Sequence, residues 1–339
     1  MTLYCGIDLH SNNHVLTLLD EHDTKVLEKR LPNKLEFSLA LMAPYQDDIT
    51  GIAIESTYNW YWLVDGLMDA GYQVHLVNTA AVKQYDGLKY TDDQHDAFHL
   101  AHLLRLGILP TGVIYPKAQR AVRDLLRKRS LLVRHRTAHT LSAKSLHTRI
   151  TGRNATTSVI QGAHAESIYL PGLADVHRQL EMKASLNMIQ AIQQQIVMIE
   201  KAVLKQIKLL PAFIGLKKVP GIGDILGLTI MLETGEICRF ASANHYASYC
   251  RAVASSNISN GKKKGEGNRK NGNKYLGWAY VEAANHMVRV CESGKRFFQR
   301  KLAQRNRAVT VKATANKLAK ACYYIMRDQV PFKPELLFR

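Results

Sequence analysis

Asp93 and Asp96 stand three residues apart at the start of a stretch whose apolar positions, Ala97, Leu100, Ala101, Leu103 and Leu104, repeat at helical spacing. On a helix that spacing puts both carboxylates on one face. Like charges so close repel, and a hard divalent cation such as Mg²⁺, which takes oxygen ligands from one or two carboxylates plus a substrate phosphate, would relieve them. Asp92 or Asp93 would cap the helix by accepting its unpaired first-turn N–H groups. On these residues alone, acidic groups that merely complement the helix dipole explain the pattern equally well.

The elements that must position these residues read as follows. Leu3–Leu9 is a buried strand carrying Asp8 near its end, with Gly6 leaving room for close packing. His14–Leu19 and Lys25–Leu31 continue as strands across the polar turn 20–24. Asn33 would cap a short helix stopped by Pro44, and Gly51–Glu55 is a fourth strand ending in a carboxylate. Tyr58–Ala70 is an amphipathic helix closed by Gly71, and Gln73–Asn78 a fifth strand. The order β-β-β-α-β-α-β-α implies an α/β domain with a mixed sheet. If the strands ending in Asp8 and Glu55 are neighbours, four carboxylates meet at one point, and two Mg²⁺ would answer the repulsion.

Charge divides the chain. Residues 1–100 hold 6 Lys/Arg against 15 Asp/Glu, while residues 101–339 hold 40 against 13. An acidic part suited to cations therefore precedes a basic part suited to phosphates, and the overall +18 favours a polyanionic partner. The five cysteines form no CxxC pair, which argues against a zinc knuckle and for a reducing cytoplasm. The N-terminus lacks a basic, apolar leader, and no apolar run reaches membrane-spanning length. The expectation is a cytoplasmic, nucleoid-associated protein without a membrane partner.

Gly6-Ile7-Asp8, Ile54-Glu55-Ser56-Thr57 and Asp93-Gln94-His95-Asp96-Ala97 together resemble the DEDD-type transposases related to the Piv DNA invertase. The resemblance implies an RNase H-like (RuvC-like) N-terminal domain. It assigns Asp8, Glu55, Asp93 and Asp96 as catalytic and metal-holding residues for Mg²⁺, with Mn²⁺ as substitute. Asp92 is an extra neighbour, and the three-residue step to Asp96 favours Asp93 as third ligand.

The basic part begins with residues 117–153, whose 11 Lys/Arg face a single acid, Asp124. Arg120, Arg123, Arg127, Lys128 and Arg134 are its candidate nucleic-acid contacts on one long helix. Residues 151–172 look like a connector. Met182, Ile189, Ile196, Val203 and Leu210 then recur every seven residues, a coiled-coil pattern that serves either a hairpin with the preceding helix or a seam between protomers. Val219-Pro220-Gly221-Ile222-Gly223 before an apolar helix is either a helix-hairpin-helix phosphate contact or a packed turn.

Residues 249–277 form the second chemical centre. Six Lys/Arg and four Gly lie in 261–274, including Lys262, Lys263, Lys264, Arg269 and Lys270, beside Ser255, Ser256 and Ser259. On composition, such serines cap or turn. The family pattern of a nucleophilic Ser, a small residue, Gly and basic residues, upstream of Gly-Asn-x-x-Leu, matches Ser259-Asn260-Gly261-Lys262 and Gly272-Asn273-Lys274-Tyr275-Leu276. The resemblance thus points to Ser259 as nucleophile, with Ser256 and Ser255 as alternatives. The tail from Arg289 reads as packing helices with a basic face.

The whole reads as an RNase H-like α/β domain over 1–112, basic long helices and coiled coil over 113–212, and a mainly α-helical domain over 213–339. Its function would be DNA cutting and rejoining by an insertion-sequence recombinase. The resemblance adds a dimer or tetramer with sites completed across subunits, and guidance by a structured noncoding RNA. The rivals are a RuvC-like Holliday-junction or structure-specific nuclease that uses water, and a non-catalytic nucleic-acid-binding protein.

Overall fold

A computed structural model describes residues 1–79, 81–82, 92–207, 210–253, 257–265 and 271–338. Two compact units emerge, one built on Met1–Lys117 and the other on Ala118–Gly265 with Gly272–Arg339. The stretches read as 113–212 and 213–339 together make up nearly all of the second.

In the first unit, β1 (Leu3–Leu9), β2 (Asn13–Leu19), β3 (Lys25–Pro32), β4 (Ile49–Glu55) and β5 (Val74–Val77) form one sheet in the order β3-β2-β1-β4-β5. β1 pairs antiparallel with β2 and parallel with β4, so the sheet is mixed, consistent with the RNase H-like expectation. Helix α1 (Leu35–Met42), α2 (Tyr61–Asp69) and α3 (Asp93–Arg105) complete this unit. Side chains alternate across a strand. Leu3, Cys5, Ile7 and Leu9, with Ile52 and Ile54, therefore fill a core together with Leu63, Val64 and Leu67 of α2. The alternate positions, Gly6, Asp8, Ala53 and Glu55, belong to the face that α3 covers. A Cβ on Gly6 would collide with the Ala97 carbonyl and approach the Ala101 nitrogen to 2.7 Å. Only glycine lets α3 lie this close to β1.

Several boundaries differ from the sequence expectation. Asn33 does not cap α1; it donates to the His10 carbonyl and its oxygen contacts His14 Nδ1. α1 does end ahead of Pro44, at Met42, and Pro44 sits in a 3₁₀ turn, Ala43–Tyr45, that follows it. α2 starts at Tyr61 because Tyr58–Trp60 form a turn.

In the second unit α4 (Lys117–Thr151) and α7 (Val176–Ile207) run antiparallel. Arg129 pairs with Glu200 at 2.7 Å, Arg136 donates to Gln193, and Arg149 lies 3.6 Å from Glu181, so partner numbers fall on α7 as they rise on α4. The seven-residue pattern is used inside the chain. Leu126 packs with Ile199 and Val203, and Ala143 and Leu146 with Met182, Leu186 and Ile189. Leu210 falls outside α7 and is half exposed. The expected connector is structured: α5 (Thr157–Ile160) and α6 (Ala165–Tyr169) pack Ile160, Ala165 and Tyr169 on the same core.

The remaining elements are α8 (Pro211–Lys217), α9 (Asp224–Thr234), α10 (Ala243–Tyr249), a hairpin of β6 (Asn257–Ser259) and β7 (Lys262–Gly265), α11 (Lys274–Val290), α12 (Glu292–Leu302), α13 (Arg307–Asp328) and α14 (Pro334–Leu337). Their core centres on α11 and α13, where the Tyr246 hydroxyl is 2.8 Å from those of Tyr280 and Thr234. In the glycine turn between α8 and α9, Gly221 is packed: it has φ +91°, and a Cβ there would come within 2.6 Å of the Ala283 carbonyl, while Gly223 has open space around it. No helix among the described residues is long and apolar enough to cross a membrane.

Candidate metal centre and nucleic-acid interface

The parallel register of β1 and β4 pairs Ile7 with Ile54, so the next residues, Asp8 and Glu55, stand side by side at adjacent strand ends. α3 brings Asp96 to them. Asp92 is the cap, accepting the His95 N–H at 2.8 Å, which sets the helix phase so that Asp96 follows one turn later on the sheet side. The far end of α3 is fixed by Asp23, which takes hydrogen bonds from Arg105 at 2.7 and 2.5 Å and lies 2.9 Å from His102 Nδ1. Asn33 and Asn59 both donate to the His10 carbonyl at 2.9 Å and so hold the chain just beyond Asp8.

Asp8, Glu55, Asp96, His99 and Thr79 line a cleft of about 290 Å³. Asp8 is 3% exposed. Burial, a carboxyl–carboxyl hydrogen bond to Asp8 and the charges of Asp8 and Asp96 push Glu55 up to about 7. Burial and the Asp8 charge raise Asp96 as well. Burial holds His99 below the ordinary histidine value, so its imidazole is neutral at pH 7. Among the described residues the buried Asp8 Oδ2 takes no well-aligned hydrogen bond, although His10 Nε2 is 3.0 Å away. Carboxylates that suppress one another's ionisation, with an unsatisfied buried oxygen among them, fit a hard divalent cation.

Asp93 is placed differently from the other three expected ligands. It does not line the cleft. Its Oδ2 accepts from Arg30 at 2.6 Å and its Oδ1 lies 3.1 Å from His10 Nε2; the Arg30 hydrogen bond is the main reason its carboxyl sits below the usual range. Asp8, His10 and Asp93 nevertheless bring one ligand atom each within 4.8 Å of one another. Two donor sets thus share Asp8: one with Glu55 and Asp96, the other with His10 and Asp93. His10, Arg30 and His99 were not singled out from sequence. Two had a readable signal, since His10 follows Asp8 by one strand repeat and His99 follows Asp96 by one helical turn.

The basic residues separate into two kinds. Lys128 and Arg134 are exposed on α4, whereas Arg120 and Arg123 are buried at 5% and 8% exposure. Arg127 makes a two-pronged pair with the buried Glu233 of α9 at 2.6 and 2.8 Å and lies over the Tyr275 ring. Of the five candidate contacts on α4, Lys128 and Arg134 are thus open to solvent, Arg120 and Arg123 are buried, and Arg127 is held by Glu233. Asn273 Nδ2 donates to the same Glu233 at 2.7 Å while its Oδ1 caps α11.

Ser259 ends β6, in register with Lys262 of β7. The two residues between them, Asn260 and Gly261, have φ of +50° and +70°. Positive φ at both positions is the primed turn that Asn-Gly favours and that matches the twist of a hairpin. Lys262 and Lys264 are exposed on β7. Ser255, Ser256, Arg269 and Lys270 lie outside the described residues.

An α/β sheet that gathers carboxylates at neighbouring strand ends against an acidic helix defines a centre able to hold divalent cations. The chain's similarity to known families agrees. Residues 5–150 match the DEDD transposase family of IS110, and residues 215–299 match the transposase family of IS116, IS110 and IS902. The two matches together support an insertion-sequence transposase, a class that cleaves and joins DNA. The match names these insertion sequences; the expected tie to the Piv invertase and the serine-recombinase label are finer than it reaches. No curated protein matches the chain.

Proposed function

We propose that this protein cuts and rejoins DNA at the ends of an insertion sequence with Ser259 as nucleophile and the acidic cleft as its metal centre. The observation that carries the reading is the convergence of Asp8, Glu55 and Asp96, with Glu55 raised to about 7, in a chain matching both transposase families. Asp8, Glu55 and Asp96 would hold one ion, and Asp8, His10 and Asp93 a second. Oxygen-rich donors favour Mg²⁺, with Mn²⁺ as substitute. When bound, the ions polarise the scissile phosphate and stabilise developing charge on oxygen.

In the cutting step the Ser259 Oγ forms a bond to phosphorus as the bond from phosphorus to a deoxyribose oxygen breaks. The serine proton leaves to a base, and the sugar oxygen takes up a proton. One phosphate ester replaces another, so the link is reversible, and attack by a second strand's sugar hydroxyl rejoins the DNA. Lys128, Arg134, Lys262 and Lys264 supply exposed charge for the backbone. A structured guide RNA and a dimeric or tetrameric active form complete the reading and rest on the family resemblance.

The test is a covalent-adduct assay. Protein, Mg²⁺, element-end DNA and RNA from the element's flanks are incubated, denatured, and examined for DNA attached to protein. An adduct that Ser259→Ala and Asp8→Asn both abolish is the expected result. Cleaved DNA without adduct, indifferent to Ser259→Ala, would instead establish a hydrolytic nuclease.

A further inference from the structure

The second unit contains a groove that neither the acidic cleft nor the serine hairpin uses. It lies between α11 and α13 and encloses about 570 Å³. Gly277, Val281, Ala252 and Ala315 give it a floor of small apolar groups, and Arg251, Arg307 and Lys312 stand around it with Asn285. Among the described residues no carboxylate lines it. Arg307 and Lys312 are exposed, and neither has a carboxylate within ion-pair distance among the described residues. Other cations of this unit do have carboxylate partners, among them Arg127 with Glu233, Arg129 with Glu200 and Lys217 with Asp224.

Arg251 is set into the groove by its backbone. It occupies the left-handed region at φ +54°, and its Nε donates to the Gly272 carbonyl at 3.1 Å. Gly277 lies directly beneath it; a Cβ there would be 3.5 Å from the Arg251 Cβ. The chain leaves the groove at Ala252 and Val253 on its way to β6, which ends at Ser259. The groove thus sits at the root of the serine-bearing segment.

Arg307 and Lys312 beside a small-residue, apolar floor suit an anion joined to a flat, weakly polar body. A nucleotide has that chemistry: phosphate for Arg307 and Lys312, base and sugar for the floor. In a duplex the bases are stacked inside and out of reach, so a concave site of this kind takes an unpaired strand. We propose that the α11–α13 groove binds an unpaired nucleotide of the DNA strand processed at Ser259. The inference deepens the proposed function and rests on it for the identity of that strand.

Binding is measured on the full chain in EDTA, where no cutting occurs, by anisotropy of a short labelled single-stranded DNA over a salt series. Failure of the covalent-adduct assay and failure here are then separate results. Arg307→Ala with Lys312→Ala removes two phosphate contacts. That change should weaken binding roughly ten- to a hundredfold at low salt and reduce the slope of log affinity against log salt by about 1.4. Lys183→Ala with Lys201→Ala, an equal loss of charge at exposed positions on α7, should leave both nearly unchanged. Val281→Trp fills the groove without changing charge and should weaken binding with the slope intact. Equal losses in the groove and control pairs would mean unspecific charge and overturn the site. A duplex that loses as much as the single strand would overturn unpaired binding. A larger loss for the same sequence as RNA would overturn DNA as the occupant.

Discussion

The two units each bury a carboxylate, and they treat it in opposite ways. Glu233, 5% exposed in α9, has both oxygens filled by Arg127 and a further hydrogen bond from Asn273. Asp8, 3% exposed in β1, faces other carboxylates and keeps an oxygen without a well-aligned hydrogen bond. A buried charge left uncompensated is costly, so a fold retains one only where something else supplies the compensation. The contrast separates a carboxylate that holds helices together from a set whose donors suit a cation. Glu233 ties α4 to α9 and to the cap of α11, and Asp8 ties nothing comparable.

Substitutions should break this comparison if it is wrong. Asp8→Asn should lower metal-dependent DNA cutting by roughly 10³-fold while leaving the chain folded, as read by cleavage rate and circular dichroism. Glu233→Ala should do the reverse to stability. It strands the Arg127 guanidinium and should cost about 3–5 kcal/mol in denaturant unfolding, with Glu233→Gln costing less. If Asp8→Asn unfolded the protein and Glu233→Ala did not, the assignment of roles would be inverted.

Within the cleft, Asp96 and Asp93 can be ranked. Asp96 lines the cleft and Asp93 is held by Arg30 and His10. Asp96→Asn should weaken metal affinity more than Asp93→Asn does, because the Asp93 carboxylate is already paired with Arg30 and His10 in the metal-free protein. Equal losses would mean that those pairs do not set Asp93 apart from Asp96.

The smallest effect is a pH dependence of the metal-free protein. The folded-state value for Glu55 is about 7, above the ordinary carboxylate value near 4.3. The folded state therefore binds this proton more tightly than the unfolded one. Its contribution to stability is full below pH ~4 and is lost as the pH rises toward 7. In EDTA the melting temperature should fall between pH 5 and 8, and in Glu55→Gln that fall should shrink. A wild-type melting temperature that rose across the same interval would contradict the carboxylate cluster.

Much of the first unit was legible from the chain itself. Alternating apolar residues in 3–9 and 51–55 marked the strands, Gly6 the close approach of α3, and the acidic strand ends the cleft. What sequence did not reveal was pairing across the sheet: Arg30 reaches Asp93 because β3 lies beyond β2 on the side of β1 away from β4. On the basic helix a count of arginines does not say which of them are buried. Arg120 and Arg123 are buried and Arg127 is held by Glu233, and the carboxylate of Glu233 near the end of an apolar helix was the signal for one such partner. Asn260-Gly261 carried a hairpin signal that the count of surrounding lysines and glycines obscured.

The most direct test of the metal centre is a calorimetric titration of Mn²⁺ or Mg²⁺ into the apo protein at pH 7 in buffers of different ionisation enthalpy. Saturable binding with net proton release, as Glu55 gives up its proton, is the predicted result, with Asp8→Asn abolishing it and Glu233→Gln leaving it intact. Saturable binding that survives Asp8→Asn, or no binding to the wild type, would contradict the account.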